Sequence, residues 1–271
     1  MRIVISGTSS GIGRAIAGHL LNLNHEVWGL ARSDQASQAA SHPRFHPVVC
    51  DVTDPESIQA AIATVSQSTC ALDAVITCAA AHGPIGPAMQ SDPKAWCDAV
   101  DLNLGGTLRV LQAFHPFLIQ AEHRGKIVCF SGGGATKARP GFSAYAAAKT
   151  GIVRLVETIA VEERGSPLDI NAVAPGAIRT RLIDEVLALG PATVGEKEYQ
   201  SALQAKADSG AALTRAINLV LWLISRESDG LSGKLFSAQW DSWPIPSAEI
   251  AEFAASDLLT LRRNTTLRRM P

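Results

Sequence analysis

The 271-residue chain lacks a long hydrophobic run: its apolar stretches, such as residues 219–224, fall far short of the roughly 20 residues that cross a bilayer. It also lacks an excess of charge of either sign. Lys and Arg number 24 against 25 Asp and Glu, a net charge of −1, so no basic field points to a nucleic acid. No CxxC pair occurs among the five cysteines, and an odd number argues against a disulfide framework. Cys50, Cys78 and Cys129 stand in apolar, strand-like surroundings, which suits reduced thiols in a cytoplasmic protein. Met1 and Arg2 run straight into a strand-like segment, so no signal peptide and no membrane anchor are expected. The seven histidines form no metal set: His42 and His46 are four apart, but Pro43 between them opposes a shared helical face. With 46% hydrophobic and 18% charged residues, the chain has the means for a large core, which excludes disorder over most of its length.

Strand-like apolar runs alternate with runs of helical period from the first residue onward. Strands are expected at Arg2–Ser6, Glu26–Ala31, Phe45–Val49 and residues 74–78, 126–131 and 169–174, and helices at residues 12–23, Pro55–Ser66, 93–120 and 144–163. The nearly continuous apolar strands AVITC and KIVCF suit strands covered on both faces. The expected fold is therefore α/β, a doubly wound parallel sheet of Rossmann type, as a single domain over residues 1–243. Residues 181–210 break the rhythm with a looser, partly helical stretch carrying Gly190-Pro191 and Gly195. They follow the C-terminal end of a strand, where open α/β sheets bind ligands, and read as a substrate lid or else as an ordinary surface excursion. Residues 244–271 form a C-terminal extension ending LRRNTTLRRMP, in which Arg262, Arg263, Arg268 and Arg269 carry positive charge. A frayed end or a subunit contact is expected there, with an anionic ligand as the alternative. Asn264-Thr265-Thr266 fits a glycosylation sequon but has no secretory signal to give it meaning.

The first strand runs into Gly7-Thr8-Ser9-Ser10-Gly11-Ile12-Gly13 and then a helix. Gly7 permits a tight exit, Gly11 lets backbone approach a pyrophosphate, and Gly13 lets the helix pack closely on the sheet. The helix N-terminus offers free N–H groups to phosphates, and Ser9 and Ser10 add hydroxyls. After the second strand, Ala31-Arg32-Ser33 places a base where an acid would take the ribose 2′-OH of NAD. Arg32, with Ser33, points to the 2′-phosphate of NADP instead. Asp51, ending the third strand, reads as an acceptor for an adenine amino group or as a helix cap, for which Asp54 is better placed.

Tyr145 and Lys149 are four apart in an Ala-rich helical run, hence on one face. A free tyrosine, with a pKa near about 10, is a poor acid at neutral pH, and a neighbouring ammonium favours its phenolate. These residues, with TSSGIG after Gly7, Asp51-Val52, Asn103 within DLNLGGT, and Pro175-Gly176-Ala177-Ile178-Arg179-Thr180, closely resemble the short-chain dehydrogenase/reductase family over residues 2 to 240. The resemblance implies Tyr145 as general acid in reduction, Lys149 on the nicotinamide ribose and lowering the Tyr145 pKa, and Asn103 holding a water in a proton relay. It implies cofactor contacts from Gly7, Ser9, Ser10, Gly11, Ile12, Gly13, Arg32, Ser33, Asp51, Val52, Ala79, Ala80, Tyr145, Lys149, Pro175, Gly176, Ile178 and Thr180. A homodimer or homotetramer built through long helices, and a small carbonyl or alcohol substrate, are implied as well.

Three departures from the family pattern stand out. The serine expected thirteen residues before Tyr145 is Gly132, so Ser131 or Ser143 takes its place or the reacting oxygen lacks that donor. The family's Asn-Asn-Ala-Gly reads Thr77-Cys78-Ala79-Ala80, losing hydrogen bonds that tie neighbouring strands. Trp240 and Trp243 stand where small residues are usual, and core or interface packing is expected of them. His82 is expected on a surface loop, the alternative being that it faces the cleft. The sequence thus leads to an NADP-preferring oxidoreductase acting between a carbonyl and a secondary alcohol. The alternatives are a sugar or nucleotide-sugar oxidoreductase, or a catalytically silent NADP-binding sensor or scaffold.

Overall fold

A computed structural model describes residues 1–263. Seven parallel strands form one sheet: β1 (Arg2–Ser6), β2 (Glu26–Ala31), β3 (Phe45–Val49), β4 (Ala74–Thr77), β5 (Gly125–Phe130), β6 (Leu168–Ala174) and β7 (Leu235–Ser237). Their order is β3-β2-β1-β4-β5-β6-β7, so the chain reverses direction across the sheet between β1 and β4. A crevice at that point, at the strands' C-terminal ends, is where such sheets take ligands.

The helices are α1 (Gly11–Asn22), α2 (Ala36–Ser41), α3 (Pro55–Ser66), α4 (Pro93–Val100), α5 (Gly106–Leu118), α6 (Ser143–Glu162), α7 (Arg181–Leu189), α8 (Pro191–Val194), α9 (Glu196–Ala207), α10 (Ala211–Ile224) and α11 (Ile250–Ala255). Capping fixes several starts. Asp54 accepts from the Glu56 N–H at 3.0 Å ahead of Pro55, and Asp92 accepts from the Ala95 N–H at 2.7 Å ahead of Pro93.

Side-chain alternation divides the core between the two sheet faces. Ile3 and Ile5 of β1 join Ile16 and Leu20 of α1 and Leu219 and Val220 of α10. Val4 faces the other way, with Val110 and Phe114 of α5 and Ile152 and Val156 of α6. Each such fully buried side chain contributes about 1.5–3 kcal/mol.

The helix expected over residues 93–120 is interrupted by a π-turn at Asp101–Gly105. There Asn103 Nδ2 donates to the Ala99 carbonyl, four residues back, and to the Ala81 carbonyl, both at 2.8 Å. A side chain claiming the carbonyl that the backbone would use is a physical cause of the widened turn. Residues 181–210 are helical almost throughout, as α7, α8 and α9. The extension packs on the body: Ile250 enters the α1/α10 core with Trp243 and Phe253 beside it, and the Leu235 N–H donates to Leu259 O at 2.8 Å. Trp243 is thus half-buried against the core, whereas Trp240 is 87% exposed. Arg268, Arg269 and the 264–266 sequon lie outside the described residues. No helix among the described residues is long and apolar enough to cross a membrane.

Candidate active site

The exit of β1 turns through Gly7 at φ +79°, and a Cβ there would lie 2.7 Å from the Ala79 N. A Cβ on Gly13 would lie 2.4 Å from Gly7 O, so α1 meets the strand exit with no room for a side chain. No side chain caps the first N–H groups of α1, which leaves them available to an anion. The loop after β4 is tied to β1 by Ser6, whose Oγ accepts from the Cys78 N–H at 3.2 Å and the Ala79 N–H at 3.4 Å. A serine on the neighbouring strand therefore supplies a tie that the Thr77-Cys78 pair does not.

Around this turn opens a cleft of ≈ 330 Å³. It brings together Gly7, Ser9, Ser10, Gly11, Ile12, Gly13, Arg32, Ser33, Asp51, Val52, Ala79, Ala80, Ser131, Tyr145, Lys149, Pro175 and Thr180. Of the remaining sequence-selected residues, Ile178 is in the core, Gly176 packs against Gln239, and Asn103 is wholly buried beneath the loop after β4. Asp51 Oδ1 accepts from the N–H and Oγ1 of Thr53, while Asp54 caps α3.

Tyr145 and Lys149 share one face of α6, and both are buried. Lys149 Nζ lies 5.4 Å from the Tyr145 ring centre and donates to Phe130 O at 2.8 Å. Burial pushes the Lys149 ammonium down to about 8. Burial also raises the Tyr145 hydroxyl above its ordinary range, and the Arg139 guanidinium opposes the rise. Asn103 Oδ1 is buried without a partner. A Cβ on Gly132 would lie 2.8 Å from Tyr145 Oη. Ser131 Oγ donates to Lys149 O at 3.1 Å, committing its proton to backbone, whereas Ser143 Oγ accepts from Trp96 Nε1 at 2.9 Å.

Helices α7, α8 and α9 pack over this centre. Val186 of α7, Val194 of α8 and Ala202 of α9 form an apolar cluster with Phe142 and Tyr145. Arg139 lies 4.0 Å from the Phe142 ring centre and is ion-paired with Glu198 of α9. His82 is buried at 4% exposure, not on the surface as expected. Its ring packs edge-on against Tyr145 and Phe142, 5.1 Å from each. Burial, with Arg139 and Lys149 nearby, pushes the imidazole down to about 3, so it is neutral at physiological pH. Sequence reasoning missed Arg139 and Phe142, which sit on a loop without periodicity, and misplaced His82.

A nucleotide crevice beside a Tyr–Lys pair defines an oxidoreductase of the doubly wound class. Residues 1–188 match the family model for short chain dehydrogenases, and the chain belongs to that family, whose members are NAD(P)-dependent oxidoreductases. It is 27% identical over 251 residues to the short chain dehydrogenase pigC of Monascus ruber, covering 88% of this chain and 78% of that one. It is 29% identical over 180 residues to the 3-oxoacyl-[acyl-carrier-protein] reductase FabG of Escherichia coli strain K12, covering 65% and 73%. The fold is similar to that of ligand-free Thermoplasma acidophilum aldohexose dehydrogenase, with a TM-score of 0.74 at 22% identity over 90% of this chain and 97% of that one. It is also similar to a short chain dehydrogenase of Escherichia coli CFT073 complexed with NADPH, with a TM-score of 0.71 at 23% identity over 88% and 96%.

Proposed function

We propose that this chain is an NADP-preferring oxidoreductase that interconverts a carbonyl and a secondary alcohol, with Tyr145 as general acid and base. The observation that carries the reading is that Tyr145 and Lys149 line the same cleft as the phosphate-type turn at Gly7–Gly13. The uncapped α1 N-terminus would hold the pyrophosphate, and Arg32, exposed at the cleft after β2, would pair with a 2′-phosphate. When bound, the nicotinamide supplies or accepts a hydride at the substrate carbon. Tyr145 gives a proton to the substrate oxygen in reduction and recovers it in oxidation. Lys149, with its pKa near 8, exchanges a proton close to neutral pH, and a water on Asn103 Oδ1 would connect it to solvent. Helices α7–α9 form the substrate lid over this centre and exclude water.

The protein is proposed to work in the cytoplasm as a homo-oligomer. An apolar groove on α4, α5 and α6, lined by Trp96, Leu104, Leu108 and Leu155, supports a helix-to-helix subunit contact. Arg262 is paired with Asp257 and Glu157, which weakens its case as an anion site for a nucleotide-linked sugar. Gly132 favours the silent-binder reading, since it removes a donor from the reacting oxygen. Turnover decides between the two. NADPH-dependent reduction of a carbonyl panel by the wild type, abolished in Tyr145→Phe, supports the enzyme, and tight NADPH binding with no turnover in either direction overturns it. Arg32→Asp is expected to reverse an NADPH-over-NADH preference, and an unchanged ratio removes the NADP assignment.

A further inference from the structure

The position facing the Tyr145 hydroxyl carries no side chain, because Gly132 occupies it. Of the two serines nearest in sequence, Ser131 donates its hydroxyl proton to Lys149 O, and Ser143 is held by a bond it accepts from Trp96 Nε1. Among the described residues whose rings pack on Tyr145, His82 carries a polar atom with no hydrogen bond. His82 Nδ1 is buried and makes no hydrogen bond, although Glu185 Oε2 of α7 lies 3.3 Å away. Native structures seldom retain a buried polar atom that has neither a partner nor a use.

The imidazole is also held in place. Asn103 Nδ2 bonds the carbonyl of Ala81, the preceding residue. Gly83, the following one, turns at φ +71°, where a Cβ would lie 2.3 Å from Ala99 Cβ. The rings of Tyr145 and Phe142 fix its plane. Its neutrality leaves one N–H to donate and no charge to bury.

We propose that the imidazole N–H of His82 donates the hydrogen bond to the reacting substrate oxygen that a side chain at position 132 would otherwise supply. The inference rests on the carbonyl–alcohol reading above. The proton that moves is that of Tyr145. His82 keeps its own throughout, steadying the negative charge that builds on the oxygen while the O–H bond forms or breaks.

The test uses full-length enzyme, NADPH, and a panel of an aldehyde, an aliphatic ketone, a β-keto ester and a vicinal diketone. Tyr145→Phe is compared with His82→Phe, His82→Asn and the double variant His82→Phe/Gly132→Ser. His82→Phe keeps the ring packing and removes the donor. It is expected to lower kcat about 10²–10³-fold with NADPH affinity almost unchanged. His82→Asn restores a donor and is expected to recover part of the loss. Adding Gly132→Ser to His82→Phe is expected to recover at least about tenfold, a rescue that a packing role for His82 would not produce. A His82→Phe kcat within about threefold of the wild type overturns the inference, as does a loss that neither His82→Asn nor the added Gly132→Ser recovers. If Tyr145→Phe is inactive while His82→Phe is not, this inference alone falls. If none of the four carbonyls is reduced, or Tyr145→Phe reduces them normally, the underlying reading falls with it.

Discussion

Arg139 and Glu198 are joined beside Tyr145, the guanidinium over the Phe142 ring and the carboxylate on α9. The pair ties α9 to the loop before α6. Arg139→Ala is expected to expose the segment 181–210 to trypsin several-fold faster and to raise the KM for a carbonyl substrate by about tenfold. It also removes the charge that lowers the Tyr145 pKa, so the basic limb of the pH–rate profile should move upward. Limited proteolysis and initial rates against pH check both effects.

Gly13 admits no larger residue, because a Cβ would lie 2.4 Å from backbone oxygen of Gly7, which cannot swing aside as a side chain can. Gly13→Ala is expected to displace α1 from the turn. NADPH affinity should fall at least about tenfold and the melting temperature by several degrees. Fluorescence titration with NADPH and a thermal melt measure the two.

Asp169 is 1% exposed, and its carboxylate pairs with Lys126 at 2.8 Å and Arg124 at 2.8 Å while accepting from the Gly230 N–H. Asp169→Ala would strand the buried Lys126 ammonium. The expected cost is about 3 kcal/mol, the low end of the range for breaking a buried pair, because Asp229 still stands 2.7 Å from Lys126. The cluster lies at the N-terminal ends of β5 and β6, away from the cleft, so cofactor affinity should hold while urea stability falls. Lys126→Met/Asp169→Leu is expected to recover most of the loss.

The Lys149 pKa of about 8 lies below its ordinary 10.5, so the folded chain gives up this proton before the unfolded chain does. Between pH 8 and 10.5 the unfolded state holds the extra proton, and stability from this group rises with pH, by up to about 3 kcal/mol. Below pH 8 the buried charge is carried at a cost. Lys149→Met should lack that rise and be the more stable protein at neutral pH, while losing activity. Urea unfolding of both proteins without cofactor, at about pH 7 and about pH 9.5, tests the sign.

Six of the seven strands were legible as apolar runs, with β1, β2 and β3 at the expected bounds, whereas β7, only three residues long, was not. The π-turn at Asp101–Gly105 was not legible. It depends on Asn103 reaching a carbonyl on its own helix and another 22 residues away. Nor were α2 and α11, each only six residues long, too short for a period to register. The cleft residues were readable through their motifs. His82 and Arg139 were not, because their placement is set by the packing of α7 and α9 over Tyr145, a tertiary event without a local pattern.

The end of the described chain is clasped to α6. The Leu261 N–H donates to Glu157 Oε1 at 2.6 Å, its carbonyl accepts from Arg154 at 2.8 Å, and Arg262 adds a contact to Glu157 at 3.1 Å. Glu157 lies about 18 Å along α6 from Tyr145, on one rigid rod. Residues 261 and 262 are therefore a poor place to cut the chain. Ending it at Thr260 would remove this clasp on the helix that carries Tyr145 and Lys149, and the shortened protein is expected to melt at a lower temperature than the full chain.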